Sequence, residues 1–339
     1  MLDQPKSRLS RGGSYVVSSR STPSGVTIAG GNSEDAGPCM ANLNVLVSLI
    51  TADNDYQASQ ATAAADAARR LDADIQVVYA GNDAVNQTQQ ILKIIQDKSK
   101  HPDAILVEPV GTGMPQVAAA AVAAGIGWGL VNREGDYVAR LRETSRAPVF
   151  AVSTDQEESG RVQGRQFAAF LKEGGCVLYI EGPSAGGVSR PRTLGMQSTK
   201  PGNVTPRMLR GDWTEASGYR AVKSWLALGT SHQMGIRLIG SQNDAMAMGA
   251  RRAFEEVPDS KARKDWLSLP FTGIDGVPKT GQEWVRRGLL AATVVTPPTM
   301  GLALEMMTKA IRFGAQPAPF TSVKSTSYPS LEEIAARLS

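Results

Sequence analysis

The chain has 339 residues, of which 42% are hydrophobic and 20% charged, and a formal net charge of +4. That length exceeds what one core ordinarily fills, so two domains are expected, and the composition is that of an ordinary globular protein. No apolar run is long enough to span a membrane, the basic residues are scattered rather than gathered into an arm, and the only cysteines are Cys39 and Cys176. These features exclude a transmembrane helix, a nucleic-acid footprint and a disulfide framework.

Residues 1–42 are rich in Ser, Gly and Arg and lack hydrophobic periodicity, so the segment is read as irregular or disordered. It contains no apolar stretch of the secretory-signal kind. Regular patterning begins at Leu43. The expected order is strand 44–50, an alanine-rich helix 58–71, strand 75–79, helix 84–96, strand 104–107, helix 114–124 and strand 127–131. A less regular loop covers 134–147, followed by an extended stretch 149–153 and a helix 156–172 capped by Asp155. The second series is strand 177–180, helix 189–197, strand 207–209, helix 214–228, strand 236–239, helix 244–254, strand 269–273, helix 279–287 and strand 291–295. Pro297 and Pro298 then break the chain before a helix 300–313, and 320–328 reads as extended. Strands alternating with helices of this length predict right-handed βαβ units and parallel sheets.

Two strands of the second series end on polar groups. Leu238-Ile239-Gly240 runs into Ser241-Gln242-Asn243-Asp244, and Phe271-Thr272-Gly273-Ile274 ends on Asp275-Gly276. Ligands of open α/β sheets bind at the carboxyl ends of strands, so Asn243 and Asp275 are placed to hold a small polar molecule. Asn243 also suits the cap of the helix that follows it.

One hydrolase signature competes. Gly182-Pro183-Ser184-Ala185-Gly186 matches G-x-S-x-G, with Asp212 and His232 following in the order of α/β-hydrolases. A nucleophile elbow requires the helix to start directly after the serine, whereas here helical pattern resumes only near Ser189, and His232 falls before a strand, at the opposite edge. No C-x-x-C, H-E-x-x-H or Walker-type phosphate loop is present, so neither a metal nor a cofactor is expected.

Six motifs in order carry a family resemblance. They are Asn54 with Tyr56 after the first strand, Val131-Asn132-Arg133 after the fourth, Arg190 following Glu181-Gly182-Pro183-Ser184, and Trp213 in Gly211-Asp212-Trp213. The last two are Gln242-Asn243-Asp244 with the helix to Ala250, and Gly273-Ile274-Asp275-Gly276. From Leu43 to Tyr328 the chain resembles the periplasmic sugar-binding proteins of the ribose-binding type, to which the effector-binding core of lac-repressor-like regulators is related. The resemblance implies two doubly wound, Rossmann-like α/β domains joined by a multi-strand hinge, as in type I periplasmic binding proteins. The expected lobes are 43–152 plus 297–320, and 153–296 plus 321–339.

The implied function is capture of a sugar or related polyhydroxy compound by hinge closure, without catalysis. The implied partner is an ABC transporter permease or a membrane sensor, the implied state a monomer and the implied location extracytoplasmic, although no export signal is visible in 1–42. Tyr56 and Trp213 would stack on the sugar faces, and Asn132, Arg133, Arg190, Asn243 and Asp275 would bond its rim; Asn54 would bond either the ligand or its own turn, and Thr296 would either contact the ligand or serve the hinge. Three departures put ribose itself in doubt: Asn132 stands where aspartate is usual, Thr296 where glutamine is frequent, and Gln57 replaces a second aromatic. The regulator alternative needs a helix-turn-helix before the core, and 1–42 shows no helical periodicity.

Overall fold

The computed structural model describes residues 15–17, 42–99, 101–111, 114–184, 187–228 and 235–338. Strand β1 (Tyr15–Val17) precedes β2 (Leu43–Leu49), α1 (Asp55–Leu71), β3 (Ala73–Tyr79), α2 (Ala84–Gln96), β4 (Ala104–Val107), α3 (Pro115–Ala123), β5 (Gly127–Val131), α4 (Tyr137–Thr144) and β6 (Val149–Thr154). The second series is α5 (Gln156–Phe170), β7 (Gly175–Glu181), α6 (Ser189–Thr199), β8 (Val204–Arg210), α7 (Glu215–Leu226), β9 (Ile236–Ser241), α8 (Asp244–Glu255), α9 (Ser260–Ser268), β10 (Phe271–Asp275), α10 (Gly281–Arg286) and β11 (Ala292–Val295). The chain closes with α11 (Met300–Phe313), β12 (Phe320–Val323), β13 (Thr326–Tyr328) and α12 (Leu331–Arg337).

Two sheets result, ordered β1-β3-β2-β4-β5-β6-β12 and β13-β11-β10-β9-β7-β8. Every neighbouring pair is parallel except β1 on β3 and β13 on β11. Parallel strands buried on both faces must be apolar throughout, and β4 is buried at all four of its residues. Each sheet carries a core on each face. In the first lobe, Val47, Ile75 and Leu106 meet Ala64 of α1 and Leu304 of α11, while Ile105 and Trp128 meet Ile91 of α2 and Val117 of α3. In the second, Phe167 of α5 and Met196 of α6 cover one face, and Val222 of α7 and Phe254 of α8 the other.

The fold corrects four expectations. Residues 15–17 form β1 within a segment expected to be irregular; Cys39 and His232 lie outside the described residues. The loop at 134–147 contains α4, and α9 follows α8. Each was illegible because α4 buries only Val138 and α9 buries nothing, so neither shows an apolar stripe. Finally, 320–328 is not one extended stretch. β12 pairs with β6 in the first sheet, and β13 with β11 in the second. The first sheet therefore includes strand residues through Thr154 and Val323. The chain crosses between lobes three times: after Thr154, after Val295 and after Val323.

Candidate functional site

The carboxyl ends of the two sheets face each other across a cavity lined by residues of both lobes. Its walls include Thr51, Asn54, Tyr56, Gln57, Glu108, Asn132 and Arg133 from the first, and Val188, Arg192, Trp213, Asn243 and Asp275 from the second. The free space among them is about 400 Å³, partly open to solvent.

Two asparagines mirror each other across the cleft. Asn54 accepts from the N–H groups of Tyr56 and Gln57 at 2.8 and 3.2 Å, capping α1. Asn243 accepts from Met246 N–H at 2.9 Å, capping α8. Both donate through Nδ2 to the Trp213 carbonyl at 2.9 Å, so that carbonyl pins the lobes together. Each asparagine keeps one N–H for a ligand. Gly182 leaves room for the Trp213 ring: a Cβ there would lie 2.1 Å from the indole. The chain at Gly182, just after β7, is thus shaped by an aromatic neighbour, and Ser184 two residues on is exposed.

Charged groups at the cavity are buried and balanced, two guanidiniums against two carboxyls. Arg133 donates through Nη2 to the Pro109 carbonyl at 3.1 Å, while its Nε and Nη1 are buried and meet no acceptor. Burial lowers its pKa to about 10, against the opposing pull of Glu108. Glu108 itself is held above the usual carboxyl range by burial, tempered by the Asn132 amide and Arg133. Arg192 is 3% exposed, lies 3.9 Å from Asp275 Oδ1, and sits over the Trp213 ring at 5.8 Å. Burial raises the Asp275 carboxyl well above its ordinary value, with Arg192 pulling the other way. Asn132, Trp213 and Asp275 have φ of 56°, 72° and 120°, so backbone strain is concentrated where side chains are aimed into the cavity.

Of the residues expected from sequence, Asn54, Tyr56, Asn132, Arg133, Trp213, Asn243 and Asp275 meet at this cavity. Arg190 does not. It is exposed, and Arg192, two residues further along the same turn of α6, lines the wall instead. Thr296 is also displaced: it is buried behind the site, its N–H donating to the Asp275 carbonyl at 3.0 Å. Glu108 was missed, although Val107-Glu108-Pro109 is the same polar strand end that singles out Asn243 and Asp275.

Asp244 lies behind Asp275. Thr293 Oγ1 donates to its Oδ1 at 2.7 Å and Gly276 N–H to its Oδ2 at 2.8 Å. Burial outweighs both bonds and pushes its carboxyl from 3.8 up to about 7. The folded chain thus retains a proton that the unfolded chain has released, so this contribution to stability is full below about pH 4 and is lost as pH rises through about 7. Thermal midpoints of the wild type should therefore fall more steeply between about pH 4 and about 7.5 than those of Asp244→Asn. Parallel profiles would contradict the assignment.

Two facing α/β sheets, three crossings and a shared cavity at the strand ends define a two-lobed, cleft-forming binding fold. The model of the periplasmic binding protein domain family matches residues 45–315, and the chain belongs to that family. The galactofuranose-binding protein YtfQ of Escherichia coli K12 is 24% identical over 293 residues, which is 85% of this chain and 88% of the relative. Among solved structures, the periplasmic component of the arabinose ABC transporter from Shewanella sp. ANA-3, bound to L-arabinofuranose, is 22% identical at a TM-score of 0.71, over 87% of this chain and 94% of the other. An ABC transporter solute-binding protein from Actinobacillus succinogenes 130z with bound D-allose is 20% identical at a TM-score of 0.72, over 87% and 100%. The fold is that of type I periplasmic binding proteins.

Among the described residues no helix is long and apolar enough to cross a membrane, and no cluster of three or more His, Cys, Asp or Glu side chains is disposed to hold a metal ion.

Proposed function

We propose that this chain is a non-enzymatic solute-binding protein that captures a neutral sugar or related polyhydroxy compound between its lobes and delivers it, as a monomer outside the cytoplasm, to an ABC transporter. The observation that carries this reading is the buried Arg133, whose Nε and Nη1 meet no protein acceptor beside a small cavity shared by both lobes. Buried donors without partners are costly, and a hydroxylated ligand would satisfy them. Balanced charge in the wall favours a neutral ligand over an anion or a cation. Tyr56 and Trp213 supply apolar surface for C–H faces, while Glu108 and Asp275 accept, the arginines donate, and the asparagines donate through their remaining N–H groups. The relatives bound to L-arabinofuranose and D-allose, and the one named for galactofuranose, share that ligand class.

The test is a thermal-shift screen over D-ribose, L-arabinose, D-allose, D-galactose, D-fructose and myo-inositol. A sugar at a hundred times its Kd stabilises by about 2.7 kcal/mol, a rise of about 5–10 °C for lobes of this size. A flat screen at millimolar sugar would overturn the reading.

A further inference from the structure

We propose that Gln156, which does not line the cavity, is the positioning residue that sets the site by coupling a wall of one lobe to a wall of the other; the ligand half of this inference rests on the solute-binding reading above. Gln156 is the first residue of α5, immediately past the first crossing, and is 8% exposed. Its Nε2 donates to Asn132 Oδ1 at 2.8 Å, and its Oε1 accepts from Arg192 Nε at 2.9 Å. Asn132 in turn donates through Nδ2 to Glu108 Oε1 at 2.8 Å. A continuous relay thus runs from Glu108 through Asn132 and Gln156 to Arg192. Its ends line the cavity in opposite lobes and its centre lies beside the hinge, where opening displaces atoms least.

The two ends fix the direction of every bond. Arginine only donates, so the Gln156 carbonyl must face Arg192 and its amide must face Asn132. The Asn132 carbonyl must then face Gln156, which leaves its Nδ2 for Glu108. A carboxylate only accepts, so the last link agrees with the first. The side chains at 132 and 156 are therefore each held in one of their two amide orientations, and the orientations are interdependent. A group at position 156 that cannot donate leaves two acceptors in contact somewhere along this buried line.

Purified full-length protein is compared as wild type, Gln156→Glu, Glu108→Gln and the double variant. Without sugar, Gln156→Glu should lower the thermal midpoint by roughly 3–6 °C, since one acceptor pair is forced together in a buried site. In the Glu108→Gln background the same change should have little effect, because the relay reforms with its inner bonds reversed. The introduced carboxylate then accepts from both Arg192 and Asn132, and the introduced amide donates to the Asn132 carbonyl. Asp275→Asn removes an equal charge near Arg192 but lies outside the relay, and it should not rescue. Rescue by Asp275→Asn equal to that by Glu108→Gln, or an equal loss from Gln156→Glu in every background, would overturn the proposal.

With sugar, calorimetric titration uses whichever of D-ribose, L-arabinose, D-allose, D-galactose, D-fructose or myo-inositol binds the wild type most tightly. Gln156→Glu should weaken it about tenfold in the wild-type background and less than about twofold in the Glu108→Gln background. Equal weakening in both backgrounds would also overturn it. If the wild type binds none of these sugars, the solute reading fails by itself, and the sugar-free unfolding cycle still decides the relay.

Discussion

Arg192→Ala is expected to abolish any sugar-induced thermal shift and to lower the unfolding free energy by about 3–5 kcal/mol. Among the described residues the guanidinium is the one cation beside the buried Asp275 in its own lobe, and it also donates to the Gln156 side chain and to the Gln242 carbonyl. Truncation strips donors from both acceptors and leaves Asp275 buried with the acidic side chains of Asp244, Glu108 and Asp55 as neighbours. Removing one partner from such a group costs more than the pair is worth, because the other stays out of water. It also uncovers the Trp213 face that the guanidinium overlies. Arg190→Ala serves as the comparison: that side chain is exposed, and its loss should change stability by no more than about 0.5 kcal/mol. Denaturant unfolding and sugar titration read both outcomes. A retained sugar response in Arg192→Ala would remove this arginine from the site.

Gly160→Ala is expected to weaken sugar binding by about ten- to a hundredfold and to destabilise the fold by about 3 kcal/mol, although the residue itself does not line the cavity. Helices α5 and α6 meet backbone to backbone. A Cβ at Gly160 would lie 2.0 Å from the carbonyl oxygen of Arg192, and one at Gly195 would lie 1.9 Å from that of Glu157. These neighbours are main chain within helices, so no side chain can swing aside. The helices must separate, and Arg192 is carried with α6 away from Asp275 and Gln156. Calorimetric titration of the folded variant measures the effect, with circular dichroism confirming that the helices persist. Wild-type affinity in this variant would mean that the α5–α6 spacing does not govern the guanidinium.

Much of the architecture was legible because its strands are apolar runs that stop at a polar residue. That pattern placed Asn243 and Asp275 at the sheet ends, the family resemblance added Asn132 and Arg133, and Glu108 carries the same strand-end signature. What the pattern cannot supply is helical phase. Arg190 and Arg192 both stand in the first turn of α6, but residues two apart project about 200° around the axis, so only one can face the cleft. Helices α4 and α9 were illegible for a different reason: helices resting lightly on the surface lack the apolar stripe from which a helix is read. Gln156 could not be found at all. Its role depends on two partners, 24 residues before it and 36 after it, that meet only in the folded molecule.

The three crossings bear on how little a ligand must spend to shut the cleft. They run side by side: Val323 pairs with Thr154 in the first sheet, and Thr326 with Val295 in the second. One connector would let the lobes translate, twist and roll independently. Three parallel connectors remove nearly all of that freedom and leave one soft rotation. Docking two free bodies costs on the order of 4–15 kcal/mol in lost translation and rotation. Here the lobe-on-lobe cost is met when the chain folds, so a solute that closes the cleft meets only the cost of its own immobilisation.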